Sequence, residues 1–369
     1  MSTRRGLLAL VAALMSACSA GGGGAPPATA AAPFALELVV RTPAALRTRA
    51  DVDALVAAAA RQGFGTVSVL VKQDEDGPGV VSGQLYVPGT LAPVAPGYGN
   101  FDVLQATLDA ARPRGLKVRA WLPQFHDQVA AKMNPAWAMR ALVGGTVQPY
   151  TGSRSTEYFV NPLDAAVQDH QLAIVRDVAT RYAVDGVMLD WIRFDDFAMD
   201  LGDATRARYR ALTGIDPATI DFRSDNAERR RWNDFRTEAI ARYTARVRAA
   251  LPAGMALGVY ILPPEFVEVG QDAARFAAHV QQLAPMCYFR DWGYPIEWLW
   301  TSCLPSTMAK AGATPVAPTL DARLPDDEVQ RIVAKLRADF PGVRTLVWFE
   351  HEQWTEANLA RLARLSNPP

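Results

Sequence analysis

The chain has 369 residues, half of them hydrophobic, and its 38 Lys and Arg side chains balance 38 Asp and Glu side chains. A neutral chain without a basic tract is a poor candidate for nucleic-acid binding. Beyond the N-terminal region, the sequence contains no apolar stretch long enough to cross a bilayer.

The N-terminal residues predict export. Two arginines precede a short apolar segment, 6–15, which is typical of a secretory signal and too short for a membrane span. The sequence Leu-Met-Ser-Ala-Cys then ends at Cys18, and small residues before a cysteine resemble the bacterial lipoprotein processing box. We therefore predict a signal peptide over 1–18 and a lipid on Cys18. Cleavage near Ala20 without a lipid is the alternative.

Residues 19–33 are rich in Gly, Ala and Pro and predict a flexible tether. The folded domain is therefore expected over 34–369. An exported chain meets oxidising conditions, so Cys287 and Cys303 could form a disulfide; two unpaired thiols are the other possibility. We expect the protein in the bacterial envelope, periplasmic or at the cell surface, with a lipid anchor as its sole membrane contact.

Apolar runs typical of strands alternate with helical segments along the rest of the chain. A long Gly/Pro-rich loop, 72–99, follows the second strand, and a second long loop ends at Asn161-Pro162. The predicted strands are 34–40, 66–71, 116–122, 184–190, 256–262, 284–289, 314–320 and 343–349. The predicted helices are 51–62, 101–114, 163–181, 204–251 with an interruption near 214–217, 272–283, 326–339 and 354–365.

Eight strands, each with a helix or room for one after it, predict a single-domain α/β fold, the (β/α)₈ TIM barrel with long βα loops. An open doubly wound sheet is the rival architecture. It usually carries a glycine-rich phosphate loop after its first strand, and here Arg41-Thr42-Pro43 follows instead.

The fourth predicted strand carries the strongest functional signal. It begins after Asp185-Gly186 and delivers a carboxylate, Asp190, at its C-terminal end. TIM barrels place their catalytic groups at that end of the strands. Asp185 stands at the other end, where it is expected to fix the turn.

Three segments resemble bacterial family-10-like glycosyl hydrolases, which are TIM-barrel proteins that often carry lipoprotein signals. They are the helix-then-strand block 101–125, the Asn-Pro pair of 160–162, and 182–194, of the type DG-x-x-x-D-x-I-R-[YF]. The chain is more remotely similar to the hydrolase domain of exopolysaccharide-processing proteins. The resemblance implies a glycosidase on this barrel. Two positions depart from the family pattern: Trp191 stands where a second acid is common, and Asp195 where a proline is common.

Glycoside cleavage by the usual route needs a second carboxyl group beside Asp190. Glu265 follows the fifth predicted strand, next to the fourth, and Glu350 ends the eighth. We rank Glu265 first as the acid and Glu350 second. The alternatives are a solvated loop acid for Glu265, a helix-start carboxylate for Glu350, and a salt bridge between Asp190 and Arg193.

Aromatic and polar side chains follow the same strand ends and suit a sugar site, because rings pack on sugar C–H faces while polar groups bind hydroxyls. The predicted substrate-binding residues are Trp121, Gln124, His126, Trp191, Arg193, Tyr260, Tyr288, Asp291, Trp292 and Trp348. The four histidines lack metal-ligand spacing, so we expect neither a metal nor a cofactor.

The sequence thus predicts a lipid-anchored glycoside hydrolase that cleaves a polysaccharide or cell-envelope glycan with paired carboxylates, Asp190 with Glu265 or Glu350. The alternative is a carbohydrate-binding or envelope-assembly lipoprotein on the same barrel without turnover, because a fold does not fix a function.

Overall fold

Parallel strands form the centre of the computed structural model, which describes residues 32–77, 79–151, 158–349 and 354–368. The predicted signal peptide with Cys18, and Glu350, lie outside these residues. The strands in chain order are β1 (Ala35–Val40), β2 (Thr66–Leu70), β3 (Lys117–Pro123), β4 (Arg140–Val143), β5 (Thr146–Pro149), β6 (Gly186–Asp190), β7 (Ala256–Ile261), β8 (Gln282–Pro285), β9 (Thr319–Asp321) and β10 (Thr345–Phe349).

Eight of these strands form one sheet in the order β8-β7-β6-β3-β2-β1-β10-β9, and every neighbouring pair in it is parallel. The two end strands meet. The Cys287 amide donates to the Thr319 carbonyl at 3.0 Å, and the Leu283 amide donates to the Pro315 carbonyl at 2.9 Å. The sheet therefore curls into a barrel, which confirms the predicted fold.

Helices cover the outside of the barrel. In chain order they are α1 (Thr42–Ala45), α2 (Arg49–Arg61), α3 (Val103–Ala111), α4 (Gln128–Met133), α5 (Ala165–Arg181), α6 (Asp203–Thr213), α7 (Ala227–Ala250), α8 (Ala273–Ala277), α9 (Leu304–Ala311), α10 (Asp326–Asp339) and α11 (Glu356–Ser366). Local sequence sets several helix starts: Thr48 and Asp51 form a capping box for α2, and Asp164 caps α5.

Several predicted boundaries are wrong. The interruption predicted near 214–217 extends to Asn226, and the strand predicted over 314–320 corresponds to β9, which begins at Thr319. The sequence places a helix over 272–283, whereas α8 ends at Ala277. The following residues pair with β7 instead: the Gln281 amide donates to the Leu257 carbonyl at 2.7 Å, and the Gln281 side chain accepts from the Leu257 amide at 2.9 Å. Strand β8 consequently begins two residues before its predicted start at Ala284.

The long loop before α5 contains an antiparallel hairpin, β4 with β5, which the sequence analysis leaves as loop. Leu142 and Val147 of this hairpin pack against a small separate core that includes Tyr209 of α6 and Trp232 of α7. The hairpin and these helices thus extend the barrel on the side of β6.

Polar side chains also lie inside the barrel, toward the N-terminal ends of the strands. The Glu37 carboxylate accepts from the Ser68 hydroxyl at 2.6 Å, from Arg119 at 3.0 Å and from Gln282 at 3.3 Å. Arg119 also donates to the Gln282 side-chain oxygen at 2.7 Å. We call these four residues the lower polar cluster. Its members satisfy one another, as buried polar groups must.

Candidate active site

A cavity of about 250 Å³ opens at the C-terminal ends of the barrel strands. It brings together eight residues that the sequence analysis assigns to the site: Trp121, Asp190, Trp191, Arg193, Tyr260, Tyr288, Asp291 and Trp292. The other lining residues are Val39, Arg41, Asp74, Glu75, Leu262, Met286, Thr319 and Phe349. The rule that TIM barrels place their functional residues at the C-terminal ends of the strands, here called the strand-end rule, therefore locates the cavity. It does not identify all of the charged groups in the cavity.

Asp190 is the last residue of β6, and only 9% of it is exposed. Its Oδ2 accepts from the indole N–H of Trp121 at 2.9 Å, and its Oδ1 accepts from the backbone N–H of Trp191 at 2.7 Å. Burial raises the pKa of Asp190, while the two N–H donors and the charges of Arg193 and Arg41 oppose that rise.

The chain turns sharply after Asp190, where Trp191 has a φ of 47°. A bulky residue rarely adopts this left-handed conformation, and such strain concentrates at functional sites. The guanidinium of Arg193 stacks 4.1 Å from the Trp191 ring centroid and forms its ion pair with Asp195 at 2.7 Å. The predicted alternative, a salt bridge from Arg193 to Asp190, is thus replaced by the Asp195 pair.

Three charged residues that the sequence analysis did not select, Arg41, Asp74 and Glu75, complete the polar wall. Arg41 follows β1 and pairs with Asp74 at 2.8 Å and with Glu75 at 3.1 Å. Asp74 opens an acidic run, Asp74-Glu75-Asp76, close behind β2. The strand-end rule that selected Asp190 also applies there, but the Gly/Pro-rich character of 72–99 concealed it.

Burial raises the pKa of Asp74 from its ordinary 3.8 to about 7. The Arg41 charge opposes this rise, whereas repulsion from Glu75 and Asp190 adds to it. Burial, with repulsion from Asp190, also raises the pKa of Tyr288 on the facing wall. The cavity therefore holds a carboxyl group whose pKa is shifted toward neutral pH.

Buried contacts from the segment that follows β3, and from α5, fix the loop that carries Asp74. The Nδ1 of His126 donates to the Asp74 carbonyl at 2.6 Å. The ammonium of Lys72 pairs with the buried Asp127 at 2.8 Å and donates to the Gln171 side chain at 2.6 Å. His126 therefore holds the Asp74 backbone and does not line the cavity.

Two further predicted residues lie away from the cavity lining. Gln124 faces α7, where its side-chain oxygen accepts from the Tyr243 hydroxyl at 2.5 Å. Trp348 faces α11 and donates to the Ser366 hydroxyl at 3.2 Å. Successive residues of a strand point to opposite faces, so it is Phe349 that reaches the cavity.

Glu265 lies on the exposed loop after β7, outside the cavity lining. Its carboxylate accepts from the Trp298 indole N–H at 2.7 Å and from the Ser302 hydroxyl. These partners hold it toward the segment before α9. The second predicted acid, Glu350, belongs to the residues that the structure does not describe.

Cys287 and Cys303 form a disulfide, which settles the alternative that the sequence left open. The bridge closes the loop after β8, whose residues Tyr288, Asp291 and Trp292 line the cavity. One wall of the cavity is therefore covalently tied to the start of α9.

Within the described ranges, we find no group of three or more His, Cys, Asp or Glu side chains arranged to hold a metal ion. In the same part of the chain, none of the helices combines the length and apolar character needed to span a membrane.

Residues 41–308 match the family described as DUF4015, "Putative glycosyl hydrolase domain". The chain belongs to this family. The matched segment holds Arg41, Asp74 and Asp190, whereas β9 and β10 lie beyond it.

Two curated relatives match part of the chain. An S-layer-related protein from Niallia circulans is 28% identical over 193 residues, 46% of this chain and 12% of the relative. The glycosyl hydrolase DigH of Escherichia coli K12 is 30% identical over 144 residues, 36% of this chain and 31% of the relative. The chain thus matches less than a third of either relative's length.

Solved structures agree on the fold. The glycoside hydrolase domain of PgaB (BpsB) from Bordetella bronchiseptica superposes with a TM-score of 0.72 at 16% identity, covering 92% of this chain and all of that domain. An alpha-L-fucosidase isoenzyme from Paenibacillus thiaminolyticus gives 0.63 at 15% identity, covering 91% of this chain and 49% of that enzyme. These likenesses establish the barrel architecture.

Proposed function

We propose that the protein is a glycoside hydrolase that cleaves a polysaccharide or cell-envelope glycan with two aspartic acids, Asp74 and Asp190. One observation carries the proposal: a single cavity at the strand ends holds two buried carboxyl groups in unequal environments. Glycosidases need one carboxyl group protonated and the other ionised. Membership of a glycosyl hydrolase family supports this chemistry.

The environments suggest a role for each residue. Asp74, whose pKa burial raises to about 7, keeps a protonated fraction at neutral pH and is suited to the general acid. Burial raises the pKa of Asp190, but one N–H donor on each of its oxygens opposes this rise and favours the ionised form. Trp121, Tyr288 and Phe349 supply apolar walls for a sugar ring. The proposal thus puts Asp74 in the role that the sequence analysis gave to Glu265.

In the proposed reaction, Asp74 gives its proton to the glycosidic oxygen as the bond to C1 breaks. Asp190 then either bonds to C1, with water later releasing the sugar, or removes a proton from the water that adds to C1. Water supplies the new hydroxyl in both routes. Proton NMR of the first anomer formed separates them, because the first retains configuration and the second inverts it.

Hydrolysis of a polysaccharide panel by wild type and Asp190→Asn tests the proposal. We expect reducing ends from at least one polysaccharide with wild type, and a loss of at least about 10³-fold with the variant. Circular dichroism checks that the variant is folded. Equal turnover by both proteins would remove Asp190 from the reaction.

A carbohydrate-binding protein without turnover is the second candidate. The Arg41–Asp74 ion pair favours it, because a guanidinium stabilises the ionised carboxylate, which cannot donate a proton. Binding of a panel polysaccharide by wild type, with no reducing ends released over days, would support this candidate over the hydrolase.

The cellular location and domain limits belong to the same proposal: a signal peptide over 1–18, a lipid on Cys18, a tether over 19–33 and a barrel over 34–369 at the bacterial envelope. Support comes from the sequence pattern and from the S-layer-related relative. The closer kinship with family-10-like glycosyl hydrolases is likewise proposed. Labelled palmitate should enter wild type and not Cys18→Ser; label in both would refute lipidation at Cys18.

A further inference from the structure

Two hydroxyl groups at the β7–β9 side of the cavity are buried without a hydrogen-bond partner among the described residues. They are the phenol of Tyr260, 3% exposed, and the hydroxyl of Thr319, 1% exposed. Both residues line the cavity. The Ser68 hydroxyl near the phenol donates to Glu37 at 2.6 Å. Burial and the Glu37 charge raise the pKa of Tyr260, and the Ser68 hydroxyl opposes that rise.

These two residues stand on one continuous surface. Tyr260 belongs to β7 and Thr319 to β9, and between them Met286, which directly follows β8, also lines the cavity. The Met286 amide donates to the Ile261 carbonyl at 2.9 Å, and Met286 bridges to Thr319, so the three backbones are locked together. We call Tyr260, Met286 and Thr319 the cavity floor.

An unpaired buried hydroxyl costs the fold free energy, since it loses its hydrogen bonds to water without replacement. The lower polar cluster shows that this barrel can satisfy its interior polar groups elsewhere. Two unsatisfied hydroxyls that line the same cavity therefore indicate a partner that arrives with the ligand.

The floor also limits the chemistry of that partner. Its three side chains are uncharged, and they offer hydroxyl groups that can donate or accept. The floor itself supplies no charge, so a carboxylate or phosphate placed on it would need Arg41, and an ammonium would need Glu37 or Asp190. These groups are already engaged by other partners. A neutral hydroxyl suits both sites.

We propose that Tyr260 and Thr319 hydrogen-bond two hydroxyl groups of the neutral sugar ring held at the cleavage point. This inference rests on the proposed hydrolase function and extends it, because it assigns the floor to an uncharged sugar and adds Thr319 as a specificity-determining residue.

The test compares Tyr260→Phe, Thr319→Val and the double variant with two matched controls. Tyr243→Phe and Thr244→Val also remove buried hydroxyls, but those hydroxyls bond to Gln124 at 2.5 Å and to the Ile240 carbonyl at 3.0 Å, away from the cavity. Without sugar, we expect the floor variants to melt at or above the wild-type temperature and the controls to melt below it.

With sugar, the probes are D-glucose, D-galactose, D-mannose, L-fucose and N-acetyl-D-glucosamine, each at 100 mM, with D-glucuronic acid as the charged comparison. We expect at least one neutral sugar to raise the melting temperature of wild type and both controls. The rise should disappear in the double floor variant, and glucuronic acid should give a smaller rise than that neutral sugar. Each single floor variant should also lower kcat/KM about tenfold on the polysaccharide that wild type cleaves.

Three outcomes would overturn the inference: a lower melting temperature for both floor variants without sugar, an equal sugar-induced rise in wild type and double variant, or no rise with any neutral sugar. Two separate measurements distinguish this inference from the hydrolase proposal: the sugar-induced rise in melting temperature tests the floor, and the comparison of wild type with Asp190→Asn tests hydrolysis. If the protein binds sugar without turnover, the floor-dependent rise persists while wild type releases no reducing ends.

Discussion

The barrel interior holds two polar layers, the lower polar cluster and the charged residues at the cavity mouth. Both pair an arginine with at least one carboxylate, but the first stabilises the fold and the second belongs to the proposed reaction site. In the lower polar cluster, Glu37 and Arg119 are satisfied by each other and by two neutral neighbours. At the mouth, Arg41 is shared by Asp74 and Glu75, and the pKa values of Asp74 and Asp190 are raised. Glu37 and Arg41 are only four residues apart in the chain. This short distance separates the structural Glu37–Arg119 pair from the Arg41–Asp74 pair, which belongs to the proposed reaction site.

The largest effect should come from Asp74→Asn. Loss of the proposed acid should lower kcat by about 10²–10⁴-fold on the polysaccharide that wild type cleaves. Wild-type activity should decline as the pH rises through about 7, because Asp74 then loses its proton, and the residual activity of the variant should lack this decline. An unchanged pH–rate profile in Asp74→Asn would assign the titration to another group.

The same shift has a consequence for stability. The folded Asp74 holds its proton between its ordinary pKa of 3.8 and about 7, while the unfolded chain releases it. This carboxyl group therefore favours folding below about pH 4, and that contribution is lost as the pH rises toward 7. Urea unfolding at pH 5 and pH 8 should show wild type losing more stability across this interval than Asp74→Asn.

Glu37→Gln addresses the lower layer and should act on stability instead of chemistry. It leaves the Arg119 charge without its carboxylate, and breaking a buried pair costs about 3–5 kcal/mol. The folded variant should keep kcat within about threefold of wild type. Asp53→Asn, which breaks the exposed Arg49–Asp53 pair on α2, is the control and should cost less than about 1 kcal/mol. A loss of kcat in Glu37→Gln without a loss of stability would mean that the lower polar cluster contributes to the reaction at the cavity.

The double variant Cys287→Ala, Cys303→Ala should lower the free energy of unfolding by about 2–4 kcal/mol, because the open loop gains conformational freedom in the unfolded chain. The loop carries Tyr288, Asp291 and Trp292, so KM for the cleaved polysaccharide should also rise while kcat changes less. Treatment of wild type with dithiothreitol should reproduce both effects. An unaltered KM would mean that the aromatic wall keeps its place without the bridge.

Glu265→Gln should have the smallest effect, with kcat/KM within about threefold of wild type, because its carboxylate is held by Trp298 and Ser302. Asp291→Asn, a carboxylate that does line the cavity, is the useful comparison. A loss with Glu265→Gln as large as that with Asp74→Asn would return the acid role to Glu265.

The barrel was predictable because its strands are buried on both faces and appear as continuous apolar runs; all five residues of β6, for example, are buried. The position of Asp190 followed from the same pattern. Asp74 was missed because it stands in a long loop whose path depends on contacts from distant segments, such as His126 and Asp127. Trp348 was misplaced because Trp348 and Phe349 are adjacent aromatic residues, and the sequence alone does not show which of the two points into the barrel.

At Trp191, the left-handed backbone favours a glycine, whereas the stacking of Arg193 needs an aromatic ring. A glycine would adopt φ of 47° without steric cost, but it would give the unfolded chain more freedom and lose the packing against His126 and Phe159. It would also remove the ring on which Arg193 stacks, beside the carboxylate of Asp190. The fold therefore bears a strained backbone at this position in exchange for a ring that packs on three neighbours and shapes one corner of the pocket.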